Sequence, residues 1–314
     1  MAPDFAPGDF APTLQRQIQF VTGKGGVGKS LVSCSLATGF ARTGLRTLLA
    51  QINAKDSHGP LLGTGAIGEE IRVVERYLSV VNVAPQAAMK EYALMTLKFE
   101  ALYHAVFENR LTRAFLRMVP SLSELTMMGK LWFHAEERDG GRPRFDRIVI
   151  DAPSTGHALK LLQTSRVLAD AVRVGPMADK TRAMAETFKD PARMAVHLVT
   201  LPEELPVNET LEFLALLERS RVATPGGIVV NQVLPRLFDG IAKAAFKTLP
   251  AQPQLAPVRA VAARRLARED NETEQERRLR ASGLPIATVP MIFDGPLKRA
   301  HVDRVAALLQ LEVR

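Results

Sequence analysis

The sequence predicts an α/β protein with a doubly wound, mostly parallel sheet and helices on both of its faces. Short apolar runs alternate along the chain with longer helical patterns, and residues 148–150 and 228–230 are continuously apolar, as strands buried on both faces are. Residues 23–30 read Gly-Lys-Gly-Gly-Val-Gly-Lys-Ser, a phosphate-binding loop between a predicted strand and a predicted helix. Together these observations predict a P-loop fold.

Each predicted element follows from this alternation. The predicted strands cover residues 18–22, 47–52, 80–83, 147–150, 195–200, 227–230 and 286–289. A helix over 31–42 follows the glycine-rich loop, and Ser121 with Glu124 forms a capping box that starts another helix. We expect residues 1–16 to be a disordered tail, residues 17–314 to be one P-loop domain, and about 85–138 to form a helical subdomain within it.

The bulk composition is that of an ordinary soluble protein, with 46% hydrophobic and 24% charged residues among 314. No apolar run approaches the ~20 residues of a membrane span, and the first 15 residues lack the pattern of a signal peptide. The single cysteine, Cys34, excludes an intramolecular disulfide and a multi-cysteine metal site. These features predict a cytoplasmic protein without a transmembrane segment.

The net charge of +8 permits contact with nucleic acid without requiring it. The densest basic stretch, residues 259–280, also carries five acidic side chains, and mixed charges at helical spacing are typical of a solvated, ion-paired helix face. Composition therefore disfavours a nucleic-acid partner.

The glycine-rich loop carries the chemistry for binding a nucleotide. Its glycines let the backbone curl around an anion, and the following helix directs its N-terminus at the same point. We predict that Lys29 reaches the β- and γ-phosphates of ATP and that the Ser30 hydroxyl binds Mg²⁺. The predicted nucleotide-binding residues of this loop are Gly25, Gly26, Val27, Gly28, Lys29, Ser30 and Leu31.

Asp151 ends the buried apolar strand 147–150. An aspartate in this position orients Mg²⁺ and its waters in P-loop enzymes. Asp151 is therefore the second predicted metal ligand, beside Ser30.

The segment 151–157 reads Asp-Ala-Pro-Ser-Thr-Gly-His and resembles the second switch of the arsenite-pump ATPase family. That family includes the ATPases that deliver tail-anchored membrane proteins. The P-loop resembles the family too, including its first lysine, Lys24. The resemblance implies a dimer, either a homodimer or a heterodimer with a paralogue, in which Lys24 crosses to the partner's nucleotide. A solvated loop lysine is the simpler alternative.

Stretches further along the chain also resemble the family in order and spacing: residues 188–191, 201–204, 209–210 and 230–232. In the family the asparagine equivalent to Asn231 reads the adenine edge, so the resemblance implies this role for Asn231. Pro290 is the candidate to pack on the base. An asparagine at the end of a strand is also common as a turn residue.

The first switch departs from the family, in which an aspartate after the second strand orients the attacking water. This sequence has Asn53 there, followed by Ala54 and Lys55. Asparagine can hydrogen-bond a water but cannot take its proton, so we predict slow hydrolysis. Asp56 is the alternative residue to place the water.

The helical block 89–138 concentrates methionines and aromatic residues. Its methionines are Met89, Met95, Met118, Met127 and Met128. Such helices form either an ordinary packed core, which we favour, or an adaptable groove for a hydrophobic or membrane-protein client.

We therefore expect an ATP- and Mg²⁺-dependent dimeric ATPase that handles such a client. Two alternatives stay open: a hydrolysis-poor partner subunit of an active paralogue, and a DNA-partitioning or positioning ATPase. The Lys24 signature is shared with the latter, while segment 151–157 argues against it.

Overall fold

The computed structural model describes residues 10–52, 54–88, 122–171, 176–248 and 252–309. Within these residues, eight strands form one sheet: β1 (Ile18–Gly23), β2 (Thr47–Ile52), β3 (Arg72–Glu75), β4 (Leu78–Val83), β7 (Arg147–Ser154), β8 (Met194–Thr200), β9 (Pro225–Val233) and β10 (Ile286–Pro290). Their spatial order is β10-β9-β8-β1-β7-β2-β4-β3. A separate short hairpin joins β5 (Arg138–Asp139) to β6 (Arg142–Pro143).

Helices pack on both faces of this sheet. They are α1 (Ala11–Leu14), α2 (Lys29–Arg42), α3 (His58–Leu62), α4 (Leu122–Glu136), α5 (Thr155–Ala171), α6 (Pro176–Lys189), α7 (Glu204–Ser220), α8 (Gly240–Thr248), α9 (Ala256–Arg280) and α10 (Arg299–Leu308). No described helix combines the length and the apolar character that a membrane span requires.

The first strand lies in the middle of the sheet, where the strand order reverses. β1 pairs in parallel with β7 on one side and with β8 on the other, and among the described strands of this sheet only β3 runs antiparallel to its neighbour. In such sheets ligands bind outside the carboxyl ends of the strands, at the point of reversal. The register Gly23↔Ser154 brings the end of β7 beside the start of the P-loop, and Asp151 lies three residues before that end.

Each face of the sheet has its own hydrophobic core. One core contains Phe20, Ile148, Met127 and Met128 and is covered by α4 to α7, and the other contains Leu36 and is covered by α2 and α10. Because Met127 and Met128 are buried, this described part of the methionine-rich block is packed core.

The predicted fold class is confirmed, and each of the seven predicted strands corresponds to an observed one with ends shifted by at most three or four residues. The edge strand β3 was not predicted, because its side chains are largely exposed and its short run lacks apolar alternation. Residues 89–121 of the helical block, with Ser121 of the predicted capping box, lie outside the described residues.

The packed chain begins earlier than the predicted boundary at residue 17. Phe10 and Leu14 are buried, and the Phe10 ring lies against the backbone of Gly227 in β9. An apolar pair separated by four residues buries one side of a short helix, which the three prolines of the segment obscure in the sequence. Residues 1–9 lie outside the described residues.

The basic stretch 259–280 lies on α9 and forms several ion pairs along the helix. Arg265 pairs with Glu269, Arg268 with Glu272 and Arg280 with Glu276, each four residues apart. The helix has the ion-paired face that its mixed charges predict.

Candidate functional site

Gly28 sets the shape of the P-loop at the start of α2. Its φ of +94° is left-handed, and a Cβ there would lie 2.2 Å from the Asn231 side-chain nitrogen. A side chain is therefore excluded by conformation and by space. α2 begins at the next residue, Lys29, so its free N-terminal amides face the loop.

The Lys29 side chain folds back over this loop. Its ammonium donates to the Lys24 carbonyl oxygen at 3.0 Å. Partial burial lowers the pKa of Lys29, and the nearby negative charge of Asp151 opposes this effect. The Lys29 ammonium thus places a positive charge over the loop at the carboxyl edge of β1.

Asp151 is the centre of a buried polar cluster beside the loop. Its carboxylate accepts from the Ser30 hydroxyl at 2.7 Å and from the Ser33 hydroxyl at 3.3 Å, and it lies 2.9 Å from His58 Nε2. The Ser57 hydroxyl in turn donates to Ser30 Oγ at 3.1 Å. The two predicted metal ligands, Ser30 and Asp151, are therefore in direct contact.

This donor set suits Mg²⁺. A hydroxyl and a carboxylate are hard oxygen ligands of the kind that Mg²⁺ takes from P-loop proteins, with the remaining positions left to phosphate and water. The side chains of Ser30 and Asp151 would hold the ion, and Lys29 would share its phosphate partners.

The first switch is fixed by side chains outside its own motif. Asn53 lies outside the described residues, but the loop after it is held by Gln51, whose side chain donates to the Lys55 carbonyl at 2.7 Å and accepts from Ser57 N–H at 3.3 Å. Asn82 of β4 donates to the Ala54 carbonyl at 2.9 Å. The loop is anchored to two strands.

Asp56 is fully engaged in this arrangement. One carboxylate oxygen accepts the His58 and Gly59 N–H groups at 3.1 and 3.0 Å, and the other accepts the Ile67 N–H at 3.0 Å. Asp56 thus organises the start of α3, while its role in placing water stays a prediction.

Asn231 lies at the end of β9, buried against the P-loop. Its amide donates to the Val27 carbonyl at 2.8 Å, and its side-chain oxygen accepts the Gln232 N–H at 2.9 Å. Pro290 is exposed at the end of the neighbouring β10, in register with Val233. Both predicted adenine contacts therefore lie at the carboxyl edge of the sheet, and Asn231 is the one bonded to the loop.

Lys24 forms an ion pair with Glu209 of α7. Both side chains are about one-third exposed, so this pair lies at the surface of the chain. The predicted crossing of Lys24 to a partner subunit stays a prediction.

Three members of the Asp151 cluster were not among the predicted site residues: Ser33, Ser57 and His58. Ser33 lies one turn after Ser30 on α2, a spacing that could have indicated a shared face. His58 and Ser57 reach the cluster only because the chain after β2 folds back over β7, and the sequence carries no signal for that path.

A cavity of about 300 Å³ opens beside the second switch. It lies between the end of β2, the segment after Asp151 and the helices α4 and α5. Its lining residues are Ile52, Glu124, Met127, Pro153, His157 and Leu161.

The sequence profile of the anion-transporting ATPases matches residues 16–174 and 173–244. Among similar proteins, the ATPase BagA of Mycobacterium tuberculosis is 29% identical over 238 residues, which is 73% of this chain and 69% of that protein. The ATPase GET3 of Kluyveromyces lactis is 26% identical over 255 residues, or 70% of this chain and 73% of that protein.

An arsenical pump-driving ATPase of Acidiphilium multivorum is 30% identical over 245 residues, which cover 69% of this chain but 39% of that protein. The matched profile spans well over half of the chain and includes the P-loop and Asp151. The predicted family is thereby confirmed. The chain belongs to the anion-transporting ATPase family and is an ATPase of the arsenical-pump and GET3 type.

Proposed function

We propose that this ATPase binds Mg²⁺ and ATP at the carboxyl edge of β1 and hydrolyses the nucleotide slowly. The observation that carries the proposal is the contact of Ser30 with Asp151, at 2.7 Å, beside the N-terminus of α2. The backbone N–H groups of residues 25–29 would hold the phosphates, and Lys29 would add a positive charge. Bound Mg²⁺ would neutralise charge on the β- and γ-phosphates.

Asn53 is the residue that we expect to place the attacking water. Three backbone N–H groups already donate to the Asp56 carboxylate, which holds it at the start of α3 and leaves it little capacity to accept the proton of a water. A carboxamide orients a water without accepting its proton, which supports slow turnover.

ATP would also bring two subunits together, as copies or as a pair of paralogues. Lys24 must leave Glu209 to reach a partner's nucleotide. A pair this exposed contributes at most about 1 kcal/mol, so nucleotide phosphates would outcompete it. Cycles of ATP binding and release would then close and open the dimer in the cytoplasm.

The downstream role that we propose is handling a hydrophobic or membrane-protein client. The cavity beside the second switch would take one apolar side chain of such a client, because Met127 and Leu161 line it and His157 belongs to the switch itself. A labelled apolar peptide of about 20 residues, a length that spans a bilayer, should bind more tightly with Mg·ATP than with Mg·ADP in fluorescence anisotropy. Equal binding in both states would remove the client from the proposal.

Steady-state phosphate release tests the ATPase itself. The wild-type protein should release phosphate above the background set by Lys29→Ala, which lacks the phosphate-binding ammonium, and calorimetry should show Mg·ATP binding to the wild type. An absence of nucleotide binding in calorimetry would overturn the whole proposal.

Light scattering after size exclusion tests the dimer. The wild-type mass should double with Mg·ATP, Lys24→Ala should stay at the lower mass, and Glu209→Gln should still dimerise because it frees the lysine. A doubled mass for Lys24→Ala would show that Lys24 does not bridge subunits.

A second candidate function is a nucleotide-gated partner subunit with negligible turnover. It is favoured by the engagement of Asp56 and by asparagine at position 53. Tight Mg·ATP binding together with phosphate release equal to that of Lys29→Ala would select this candidate.

A further inference from the structure

His58 is a fully buried polar side chain next to the proposed magnesium site. Its exposed fraction is 0%, and its Nε2 lies 2.9 Å from Asp151 Oδ2. Since a carboxylate only accepts, the His58 nitrogen donates in this contact. The other ring nitrogen, Nδ1, is buried without a hydrogen-bond partner in the described part of the chain. Burying an imidazole with one unpaired nitrogen costs free energy of folding. The contact that the other nitrogen makes with Asp151 therefore calls for an explanation.

The element that carries His58 is itself held in place. His58 is the first residue of α3, and its own N–H is bound by the Asp56 carboxylate. Ser57, just before it, donates to Ser30. The anchored turn therefore holds the imidazole against Asp151. This contact joins the segment after the first switch to Asp151, the first residue of the second switch.

The same carboxylate oxygen of Asp151 receives both Ser30 and His58. Two donors on one oxygen fix the plane of the carboxyl group. A carboxylate that handles a metal depends on such outer partners for its orientation, and their loss typically lowers metal affinity about 10- to 100-fold.

We propose that His58 is a positioning residue, which holds the Asp151 carboxylate in the orientation that Mg²⁺-dependent nucleotide binding requires. It acts through Asp151 and touches neither phosphate nor water. This inference rests on the proposed function, since it assigns a role within the same nucleotide site.

Calorimetry of ADP binding, with excess Mg²⁺ and with EDTA, tests the assignment. The informative quantity is the dissociation constant measured with EDTA divided by the one measured with Mg²⁺. This ratio isolates the contribution of the metal from that of the loop. In H58Q the amide nitrogen stands three bonds from Cβ, as Nε2 does, and the ratio should stay near the wild-type value. In H58N the amide falls one bond short, and the ratio should drop about 10-fold with EDTA binding unchanged.

An H58N ratio equal to or above that of the wild type would overturn the role of His58. A purely structural histidine would lower the melting temperature of H58N without changing the ratio, which also overturns it. Should H58N fail to fold, H58M, which fills the space without a donor, takes its place under the same criterion. Failure of the proposed function is distinct, because then the wild type itself would bind no nucleotide.

Discussion

The P-loop and the first switch lie at the same edge of the sheet but are built in opposite ways. The P-loop takes its form mainly from its own residues: glycines, of which Gly28 has a φ of +94°, and an immediate helix start at Lys29, with one added hydrogen bond from Asn231 of β9. The first switch is held by side chains of the strands, Gln51 of β2 and Asn82 of β4. The conformation of the P-loop can therefore be predicted largely from its own residues. The conformation of the first switch depends on the strands around it.

The largest expected effect is on the P-loop itself. Gly28→Ala should weaken Mg·ATP binding about 100-fold, because left-handed strain and lost phosphate contacts together cost about 3 kcal/mol. Isothermal calorimetry measures the effect. Gly44→Ala is the matched control: Gly44 also has a left-handed φ, +87°, but open space around it, so its binding should be unchanged. Equal losses in both variants would refute a local origin.

A carboxylate in the first switch should raise the rate of ATP hydrolysis. Asn53→Asp supplies a carboxylate that can accept the proton of the attacking water, and we expect phosphate release to rise about 10-fold, less than full general-base catalysis provides. Phosphate release at saturating ATP checks this. An unchanged rate would mean that residue 53 does not place the water in this protein.

Removing the anchor of α3 should cost stability. Asp56→Ala leaves three N–H groups without their acceptor, so the free energy of unfolding should fall by about 2 kcal/mol. Urea denaturation measures it. The control is Asp179→Ala, where the aspartate is 79% exposed and pairs with Arg182, with an expected change of at most about 0.5 kcal/mol. Similar losses in both would contradict an anchoring role.

The smallest effect, counted per pH unit, concerns β8, the strand that pairs with β1. His197 of β8 is fully buried beside Gln19 of β1, and burial lowers its pKa from 6.5 to about 3. Below pH 6.5 His197 takes up a proton in the unfolded chain, whereas in the folded chain it stays neutral down to about pH 3. The free energy of unfolding should therefore fall with decreasing pH, by at most about 1.4 kcal/mol per pH unit.

Replacing this histidine should flatten that dependence. His197→Gln keeps a hydrogen-bonding side chain without a titrating group, and its unfolding free energy should vary less between pH 6.5 and about pH 4.5. Denaturant unfolding across this range measures the slope. His157→Gln, at an exposed position, should keep the wild-type slope. A wild-type slope in His197→Gln would assign the acid sensitivity to other groups.

Features that depend on a local motif or on the parallel order of the strands could be predicted from the sequence. The P-loop and the proximity of Asp151 to Ser30 follow from a spaced motif and from the parallel sheet that brings the carboxyl halves of its strands together, although β7 runs on to Ser154. Reasoning fell short for α1, whose burial depends on where Phe10 meets Gly227, far along the chain.

By itself, the sequence determined the fold class and the family of this ATPase, and it predicted the glycine-rich loop with Ser30 and Asp151 as its paired metal ligands. Only the tertiary structure decided that His58 and Ser57 join them and that Lys24 pairs with Glu209. The physical reason is sequence separation, because a motif encodes contacts between near neighbours, whereas these contacts form between segments that meet only after the sheet has assembled.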